Sequence, residues 1–253
     1  MKRETGNAAE TARFSFSGIR GGCFDAGATL IYPDPPVEEI YGRELAGVGG
    51  PRFSTGDVSR ALTLAWSEVA VERRGADRYG GVRGESAFWR GFLNSVRRHL
   101  DGGTVSAEVF ERLSAHFRSP DSWAVFGDVR GTLAELAARG MALAVVSNWD
   151  SSLPSLLGEL GLAERFREIS VSASEGTGKP EPDIFLRTCE RLDLTPAEVL
   201  HVGDSLVDDY GGARAAGLSA VLLDREGRHA DVRDRIDTLA VLPGFFTGPA
   251  GRG

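Results

Sequence analysis

Cysteine and long apolar runs are both scarce in this sequence. The two cysteines, Cys23 and Cys189, make neither a disulfide framework nor a metal-binding spacing, and we expect both to be small buried hydrophobic residues. No apolar run approaches the roughly 20 residues of a membrane-spanning helix. Residues 1–14 carry charges but no apolar signal core. We therefore expect a cytoplasmic protein with no membrane partner.

Positive charge is also in deficit. The chain has 29 lysines and arginines against 36 aspartates and glutamates, which gives a formal net charge of -7. Without a basic patch or stripe, a nucleic-acid partner is not expected. An acidic protein that handles phosphates needs local positive charge or a metal ion, so any phosphate site in this chain is expected to contain one or the other.

The hydrophobic periodicity changes twice along the chain. Residues 37–117 show successive helical patterns and no convincing strand, which predicts an all-helical module. Residues 18–36 and 118–243 alternate between strand and helix patterns, which predicts one α/β domain interrupted by that module. Residues 1–17 and the glycine-rich residues 244–253 are expected to be flexible tails.

Apolar strands that alternate with helices predict a doubly wound parallel sheet covered on both faces. In the helical module we predict helices over residues 55–74 (capped by Thr55 or Asp57), 84–100 and 105–117. In the α/β domain we predict strands over residues 18–24, 141–146, 167–172, 199–202, 219–223 and 238–242, and helices over 129–139, 151–160, 183–192 and 209–216. In such sheets ligands bind at the carboxyl ends of the strands.

Polar side chains follow four of these predicted strands. They are Asp25, then Ser147 and Asn148, then Lys179, and finally Asp204, Asp208 and Asp209. Each alone is typical of a turn, a helix cap or a solvated side chain. Four such positions in order, each after a strand, instead favour one shared site at one edge of the sheet.

This combination fits phosphoryl transfer through a covalent aspartyl intermediate, with Asp25 attacking phosphorus. Asp25, Asp204 and a backbone carbonyl near Gly27 are predicted to hold Mg²⁺, which prefers oxygen ligands. A divalent cation is needed because a carboxylate and a phosphate dianion repel each other. The expected substrate is a small phosphorylated molecule.

The remaining residues have supporting parts in this prediction. Ser147 is expected to donate a hydrogen bond to the phosphoryl oxygens. Lys179 is expected to supply positive charge to the transferring group. Asp209 is expected to position Lys179 or a water molecule on the metal.

These motifs together resemble the haloacid dehalogenase-like (HAD) hydrolase superfamily. The matching segments are residues 24–30 (FDAGATL), 146–148 (VSN), 178–180 (GKP), 203–209 (GDSLVDD) and 212–217 (GARAAG). The resemblance covers about residues 20 to 224 and most of the chain. It implies a Rossmann-like core, an aspartate nucleophile and usually Mg²⁺, and it identifies residues 37–117 with the helical cap that the family inserts after its first motif.

The sequence departs from the family's phosphatases at Gly27. In those enzymes the residue two after the nucleophile is a second aspartate, which protonates the leaving alcohol and activates water. Gly27 cannot move a proton, and general acid–base help is commonly worth about 10²–10⁴-fold. We therefore expect slow hydrolysis of esters with poor leaving groups.

Three functions remain open, and a Mg²⁺-dependent phosphatase is the main prediction. A 2-haloacid dehalogenase is the second, because halide needs no proton to leave, although such dehalogenases need no metal and usually lack the Gly-Asp pair present here at Gly203 and Asp204. A HAD-fold protein that binds a phosphorylated ligand or a partner protein with little turnover is the third. The oligomeric state is left open.

Substrate contacts are predicted near the first two motifs and on the cap. Thr29, Asn148 and Trp149 are expected to contact the substrate. The cap closes over Asp25 in this prediction and sets specificity. Its candidate residues are Trp66, Arg83, Trp89 and Arg90, although the two tryptophans also suit helix packing.

Overall fold

A computed structural model describes residues 16–46, 53–72, 81–82 and 84–246. The strands are β1 (Gly21–Phe24), β2 (Ile31–Pro33), β3 (Trp123–Val125), β4 (Ala142–Ser147), β5 (Glu168–Val171), β6 (Val199–Gly203), β7 (Ser219–Leu223) and β8 (Arg235–Ile236). The α-helices are α1 (Val37–Ala46), α2 (Thr55–Glu72), α3 (Glu85–Asp101), α4 (Ala107–Arg118), α5 (Val129–Ala138), α6 (Leu153–Glu159), α7 (Ser172–Glu175), α8 (Pro182–Leu192) and α9 (Gly212–Ala215). Within this described part, no helix has the length and apolar character needed to cross a membrane.

Six strands form one parallel sheet in the order β5-β4-β1-β6-β7-β8. The chain moves outward from β1 to β4 and β5, then returns to the other side of β1 with β6. This reversal makes the gap between β1 and β6 the topological switch point, where ligands of such sheets bind. The predicted doubly wound parallel sheet is confirmed.

The strands are apolar because both faces of the sheet are covered. Every residue of β1 and of β6 is buried. Successive side chains of a strand point to opposite faces, so Cys23 joins the hydrophobic cluster on one side and Phe24 joins the cluster on the other. Both cysteines are buried and free, as expected.

Helices α1–α4 lie between the short strands β2 and β3, which pair antiparallel. These helices share a hydrophobic cluster of their own, with Ile40, Val58 and Val96 fully buried. On the core side, α3 contacts the loop after β4. There the Trp89 indole donates to Asp150 at 2.7 Å, and Glu85 accepts from the backbone and hydroxyl of Ser151.

The C-terminal segment of the α/β domain has a different secondary structure from the one predicted. Residues 238–242 are not a strand: a 3₁₀ helix, Leu239–Phe245, occupies this segment, and β8 is the last strand. The Thr238 hydroxyl accepts from the Ala240 amide, and Asp128 accepts from the Leu239 amide, so side chains satisfy backbone groups that a strand would have paired. The predicted tail from residue 244 begins too early, since Phe245 is buried in the core.

Other boundaries shift by smaller amounts. The predicted helix over 209–216 divides into a π-helical segment, Leu206–Gly211, and the short α9. Ser54, rather than Thr55 or Asp57, caps α2, because its hydroxyl accepts from the Asp57 amide at 3.1 Å. The three-residue strands β2 and β3 were not predicted. Residues 1–15, the predicted helix end at 73–74, Arg83 and residues 247–253 lie outside the described residues.

Gly203 ends β6 where the Asp209 side chain packs against its backbone. A Cβ at this position would overlap Asp209, whose own Cβ would lie only 2.7 Å away. We expect Gly203→Ala to lower the free energy of unfolding by about 1–3 kcal/mol, because overpacking forces a shift of side chain or backbone. Urea denaturation followed by circular dichroism measures the change.

Gly131→Ala is the matched control for this prediction. Gly131 lies in α5, and a Cβ added there would meet no atom within 4 Å. Alanine is favoured over glycine inside a helix by about 0.5–1 kcal/mol, so this variant is expected to be slightly more stable. Equal destabilisation by both substitutions would contradict a specific close approach at Gly203.

Candidate active site

Three neighbouring strands bring polar side chains to one edge of the sheet. Asp25 directly follows β1, Ser147 is the last residue of β4, and Asp204 directly follows β6. The Asp25 amide donates to the Val202 carbonyl at 3.0 Å, which continues the ladder between β1 and β6 to the catalytic edge. The Ser147 hydroxyl donates to Asp25 Oδ1 at 2.9 Å. The structure therefore brings these three residues together at one edge of the sheet, as predicted.

Lys179 is buried between two carboxylates. Its Nζ lies 2.6 Å from Asp25 Oδ1 and 2.5 Å from Asp209 Oδ1. Burial by itself would lower the pKa of Lys179, but the adjacent charges of Asp209 and Asp25 outweigh it and raise the pKa. Lys179 is therefore a permanent cation that links the nucleophile candidate to Asp209.

Asn148 holds the backbone of Lys179 with both ends of its amide. Its Nδ2 donates to the Lys179 carbonyl and its Oδ1 accepts from the Lys179 amide, each at 2.8 Å. The structure thus gives Asn148 a positioning contact across 31 residues of chain. Its predicted contact with substrate stays a prediction.

Asp209 is fully enclosed and remains ionised. Burial would raise its pKa, but the Lys179 ammonium and the hydrogen bond with His201 hold the pKa well below its usual range. His201 Nε2 lies 2.9 Å from Asp209 Oδ1, and the Ser205 amide donates to Oδ2 at 2.9 Å. Burial lowers the pKa of His201, so its ring is neutral and donates to the carboxylate.

Three carboxylates at this edge form a set of oxygen donors. Asp25, Asp204 and Asp209 each offer an oxygen, and these oxygens lie within 4.8 Å of one another. Burial, together with the charges of Asp25 and Asp209, raises the pKa of Asp204 to about 7, and burial also raises the pKa of Asp25. Such a set suits a hard divalent cation, because bound positive charge relieves the repulsion between carboxylates.

The turn after β1 is tightly bonded and leaves little room for substrate at Thr29. The amides of Leu30 and Ile31 both donate to the Ala26 carbonyl, and Ala28 has a positive φ of 55°. Thr29 is fully buried, and its hydroxyl has no partner among the described residues and no access to solvent. The predicted substrate contact of Thr29 is therefore not available in this conformation.

Trp149 fills the space beside Gly27. A Cβ at Gly27 would lie 3.2 Å from Trp149 Cζ3 and would touch nothing else within 4 Å. The other side of the indole contacts Trp123, with ring centroids 5.0 Å apart. The glycine that replaces the family's acid–base aspartate is thus covered by an aromatic ring.

A cavity of about 520 Å³ lies between helices α1–α4 and the loop after β4. Trp66 and Trp89 line it from the helical side, and Asn148 and Trp149 line it from the core side. The cap candidate Arg90 is not among the lining residues, because its guanidinium lies over the Phe110 ring at 4.2 Å. All four of these lining residues are positions that the sequence analysis proposed for substrate contact or specificity, and those roles stay predictions.

A family model for haloacid dehalogenase-like hydrolases matches residues 19–217, from the strand that leads into Asp25 to the end of the last motif. The chain belongs to this family. The match includes every residue of the site described above, so the predicted superfamily is confirmed.

Similar proteins include both phosphatases and dehalogenases. Haloacid dehalogenase-like hydrolase domain-containing protein 3 of Mus musculus is 38% identical over 225 residues, which are 87% of this chain and 88% of the mouse protein. A HAD phosphatase from Thermococcus onnurineus is 27% identical with a TM-score of 0.64, covering 92% of this chain and 100% of that chain. A 2-haloacid dehalogenase from Pseudomonas syringae pv. Tomato DC3000 is 26% identical with a TM-score of 0.60, covering 90% and 97%.

One residue of the site in this HAD hydrolase, His201, was not predicted from the sequence. His201 lies inside β6 and is fully buried against Asp209. The signal was a single histidine in an otherwise apolar strand, VLHVG. A buried imidazole needs a polar partner, and the following aspartates were available to supply one.

The Lys179–Asp209 pair generates a pH-dependent stability prediction. The folded-state pKa of Asp209 is depressed, so its stabilisation is complete above the unfolded-state pKa of about 3.9 and is lost as pH falls through the lower folded-state value. We expect Asp209→Asn to lower the free energy of unfolding at pH 7 by about 3–5 kcal/mol, because a buried ion pair is broken. The deficit should be constant well above the unfolded-state pKa and should shrink progressively as pH falls below about 4, toward the lower folded-state pKa.

Urea unfolding of the unaltered protein and of Asp209→Asn, from pH 7 down to about pH 3, measures the deficit. Asp208→Asn is the matched control. Asp208 is half-buried, and its carboxylate accepts a long hydrogen bond, of 3.5 Å, from Asn148 Nδ2. Its substitution should change the free energy of unfolding by less than about 1 kcal/mol. A deficit for Asp209→Asn that is independent of pH would argue against an ionised Asp209.

Proposed function

We propose that this HAD hydrolase is a Mg²⁺-dependent phosphatase of small phosphate esters that works through an aspartyl-phosphate on Asp25. One observation carries the proposal: Asp204 stands in the same oxygen cluster as Asp25, within 4.8 Å. A third carboxylate beside a nucleophile and one lysine leaves excess negative charge at a site that must accept an anion. A bound divalent cation resolves that conflict.

The carboxylate oxygens at this edge of the sheet suit Mg²⁺ as ligands. Asp25 and Asp204 would hold it through carboxylate oxygen, with the backbone carbonyl at Gly27 as the predicted third protein ligand. Asp209 contributes its charge but has both oxygens engaged, by Lys179, His201 and Ser205. When bound, Mg²⁺ would supply positive charge that keeps the carboxylates ionised and offsets their repulsion of the phosphate dianion.

In the first half of the proposed reaction, a carboxylate oxygen of Asp25 forms a bond to phosphorus. The bond between phosphorus and the ester oxygen breaks, and its electron pair leaves with the alcohol. Ser147 and Lys179, which donate to Asp25 Oδ1 in this structure, are placed to donate to the phosphoryl oxygens as charge develops there. Asp209 acts as a positioning residue, because it fixes the Lys179 ammonium.

In the second half, water attacks the phosphorus of the aspartyl-phosphate. The acyl-phosphate bond breaks, which releases inorganic phosphate and regenerates the Asp25 carboxylate. No side chain at Gly27 is available to take the proton from water or to give one to the leaving alcohol. The proposed enzyme therefore depends on the leaving group's own acidity in the first step.

A 2-haloacid dehalogenase is the second candidate, and Gly27 is the observation that favours it. Halide departs without a proton, so a dehalogenase needs no acid at this position. Asp204 argues against this candidate, because a haloacid substrate would bring its own carboxylate toward an already acidic cluster. Phosphate release and halide release separate the two candidates.

We expect p-nitrophenyl phosphate to be hydrolysed with Mg²⁺, not hydrolysed with EDTA, and hydrolysed again when excess Mg²⁺ is restored. Asp25→Asn should reduce phosphate release to background while leaving the circular dichroism spectrum close to that of the unaltered protein. Equal activity in EDTA would contradict the metal requirement. Chloride release from 2-chloropropionate in EDTA would identify a dehalogenase instead.

Gly27→Asp tests whether a missing proton donor limits the rate. We expect it to raise kcat for an alkyl ester such as glycerol phosphate by about 10²-fold, at the low end of general acid–base effects. The gain for p-nitrophenyl phosphate should be small, because nitrophenolate leaves without a proton. Phosphate-release assays on both esters measure the difference.

The controls for this prediction follow from chemistry and space. Gly27→Asn has nearly the same size but cannot act as the acid, so it should give no gain. Because the new Cβ would lie 3.2 Å from Trp149 Cζ3, Gly27→Asp is also combined with Trp149→Phe to make room. Equal rates for the aspartate and asparagine variants in both backgrounds would show that another group already serves as the acid.

A further inference from the structure

All four tryptophans of the chain line one cavity. Trp66 comes from α2, Trp89 from α3, Trp123 from β3 and Trp149 from the loop after β4. Each is half-buried rather than fully enclosed. A cavity of this size with an aromatic lining is typical of small-molecule binding sites, so this shared lining points to a ligand.

The cavity offers an aromatic and aliphatic surface. The rest of its apolar lining is aliphatic or aromatic: Val37, Tyr41, Leu62, Leu93, Leu113 and Phe117. Its charged lining residues are Glu38, Arg118 and Asp150. The carboxylate of Asp150 is engaged, since it accepts from the Trp89 indole and from Ser152. A ligand in this volume of about 520 Å³ would therefore bury apolar surface more than it would pair charges.

Trp149 joins this cavity to the proposed nucleophile. Its indole lines the cavity and also lies over Gly27, two residues after Asp25. A molecule with its phosphate at Asp25 and its alcohol portion beyond Trp149 would place that portion in the aromatic cavity. The cavity is thus positioned for the leaving group rather than for the phosphate.

We propose that the substrates are aryl phosphate monoesters, whose apolar ring binds in the four-tryptophan cavity; this inference rests on the proposed phosphatase function. Gly27 supports the same class independently. A phenol has a pKa near that of tyrosine, about 10, so an aryloxide leaves with its electron pair and takes its proton from water afterwards. No acid at residue 27 is needed for that departure.

The test compares three phosphate donors with Mg²⁺: 2-naphthyl phosphate, phenyl phosphate and the small acetyl phosphate. We expect kcat/KM to be about tenfold higher for 2-naphthyl than for phenyl phosphate, mainly through KM, because the second ring buries more apolar surface. Trp66→Ala should lower kcat/KM for 2-naphthyl phosphate about tenfold, mainly through KM, with a smaller loss for phenyl phosphate and the smallest for acetyl phosphate.

Leu64→Ala is the matched control variant. Leu64 lies on the same helix as Trp66, is 43% exposed and is not a lining residue. It should behave as the unaltered protein with all three donors. If Trp66→Ala and Leu64→Ala behave alike, or if phenyl and 2-naphthyl phosphate have equal kcat/KM, the aryl-ester inference is overturned while the phosphatase function stands. Absence of phosphate release from all three donors overturns the proposed function and the inference with it.

A second measurement needs no variant, in case Trp66→Ala does not fold. The non-hydrolysable benzylphosphonate is titrated into the unaltered protein with Mg²⁺, and tryptophan fluorescence is excited at a wavelength that the benzyl ring does not absorb. Because every tryptophan lines the cavity, its occupation should change the emission, and acetyl phosphate should not. An unchanged spectrum at concentrations that inhibit 2-naphthyl phosphate hydrolysis would overturn the inference.

Discussion

A single buried ammonium group holds the candidate site together. Lys179 Nζ donates to Asp25 and to Asp209, at 2.6 and 2.5 Å, in a place that water hardly reaches. Removing this cation would leave two buried carboxylates facing each other, beside a third at Asp204. Since an unpaired buried charge is far more costly than an exposed one, the geometry of the whole edge depends on where this lysine is held.

The fold meets that demand with small, local devices. Asn148 clamps the Lys179 backbone, His201 and the Ser205 amide fix Asp209, and Gly203 lets the Asp209 carboxylate pack against bare backbone. Asp25 and Lys179 are 154 residues apart in the chain. They meet because β1, which leads into Asp25, and β5, which precedes the loop of Lys179, end at the same edge of one parallel sheet.

Helices α1–α4 bring an aromatic surface to the loop after β4, and in the proposed function this surface receives the uncharged part of the substrate. The aromatic side chains of these helices face the loop that carries Asn148 and Trp149, and α3 contacts the same loop through Trp89 and Glu85. Gly27 and Trp149 are neighbours, since a Cβ at residue 27 would lie 3.2 Å from Trp149 Cζ3 and would require a small shift of the indole. In the proposed function, the charged residues at the sheet edge and the aromatic cavity are therefore adjacent. The α/β domain supplies the first, and helices α1–α4 supply most of the second.

The fold class, the strand before Asp25 and the polar residues at the ends of β4 and β6 could all be predicted from the sequence. Apolar strands, and the polar residues that follow them, are patterns of neighbouring residues and need no tertiary contact to be recognised. The prediction failed at residues 238–242, because a short apolar stretch suits a strand and a 3₁₀ helix equally. The 3₁₀ helix forms here with the Asp128 carboxylate and the Thr238 hydroxyl accepting hydrogen bonds from its first backbone amides. Only the tertiary structure could show that His201 holds Asp209, that Thr29 is sealed from solvent and that all four tryptophans share one cavity. Those facts depend on contacts between distant segments, and no local pattern records them. For Gly27 the sequence identified the missing carboxylate, and the structure showed that Trp149 covers it.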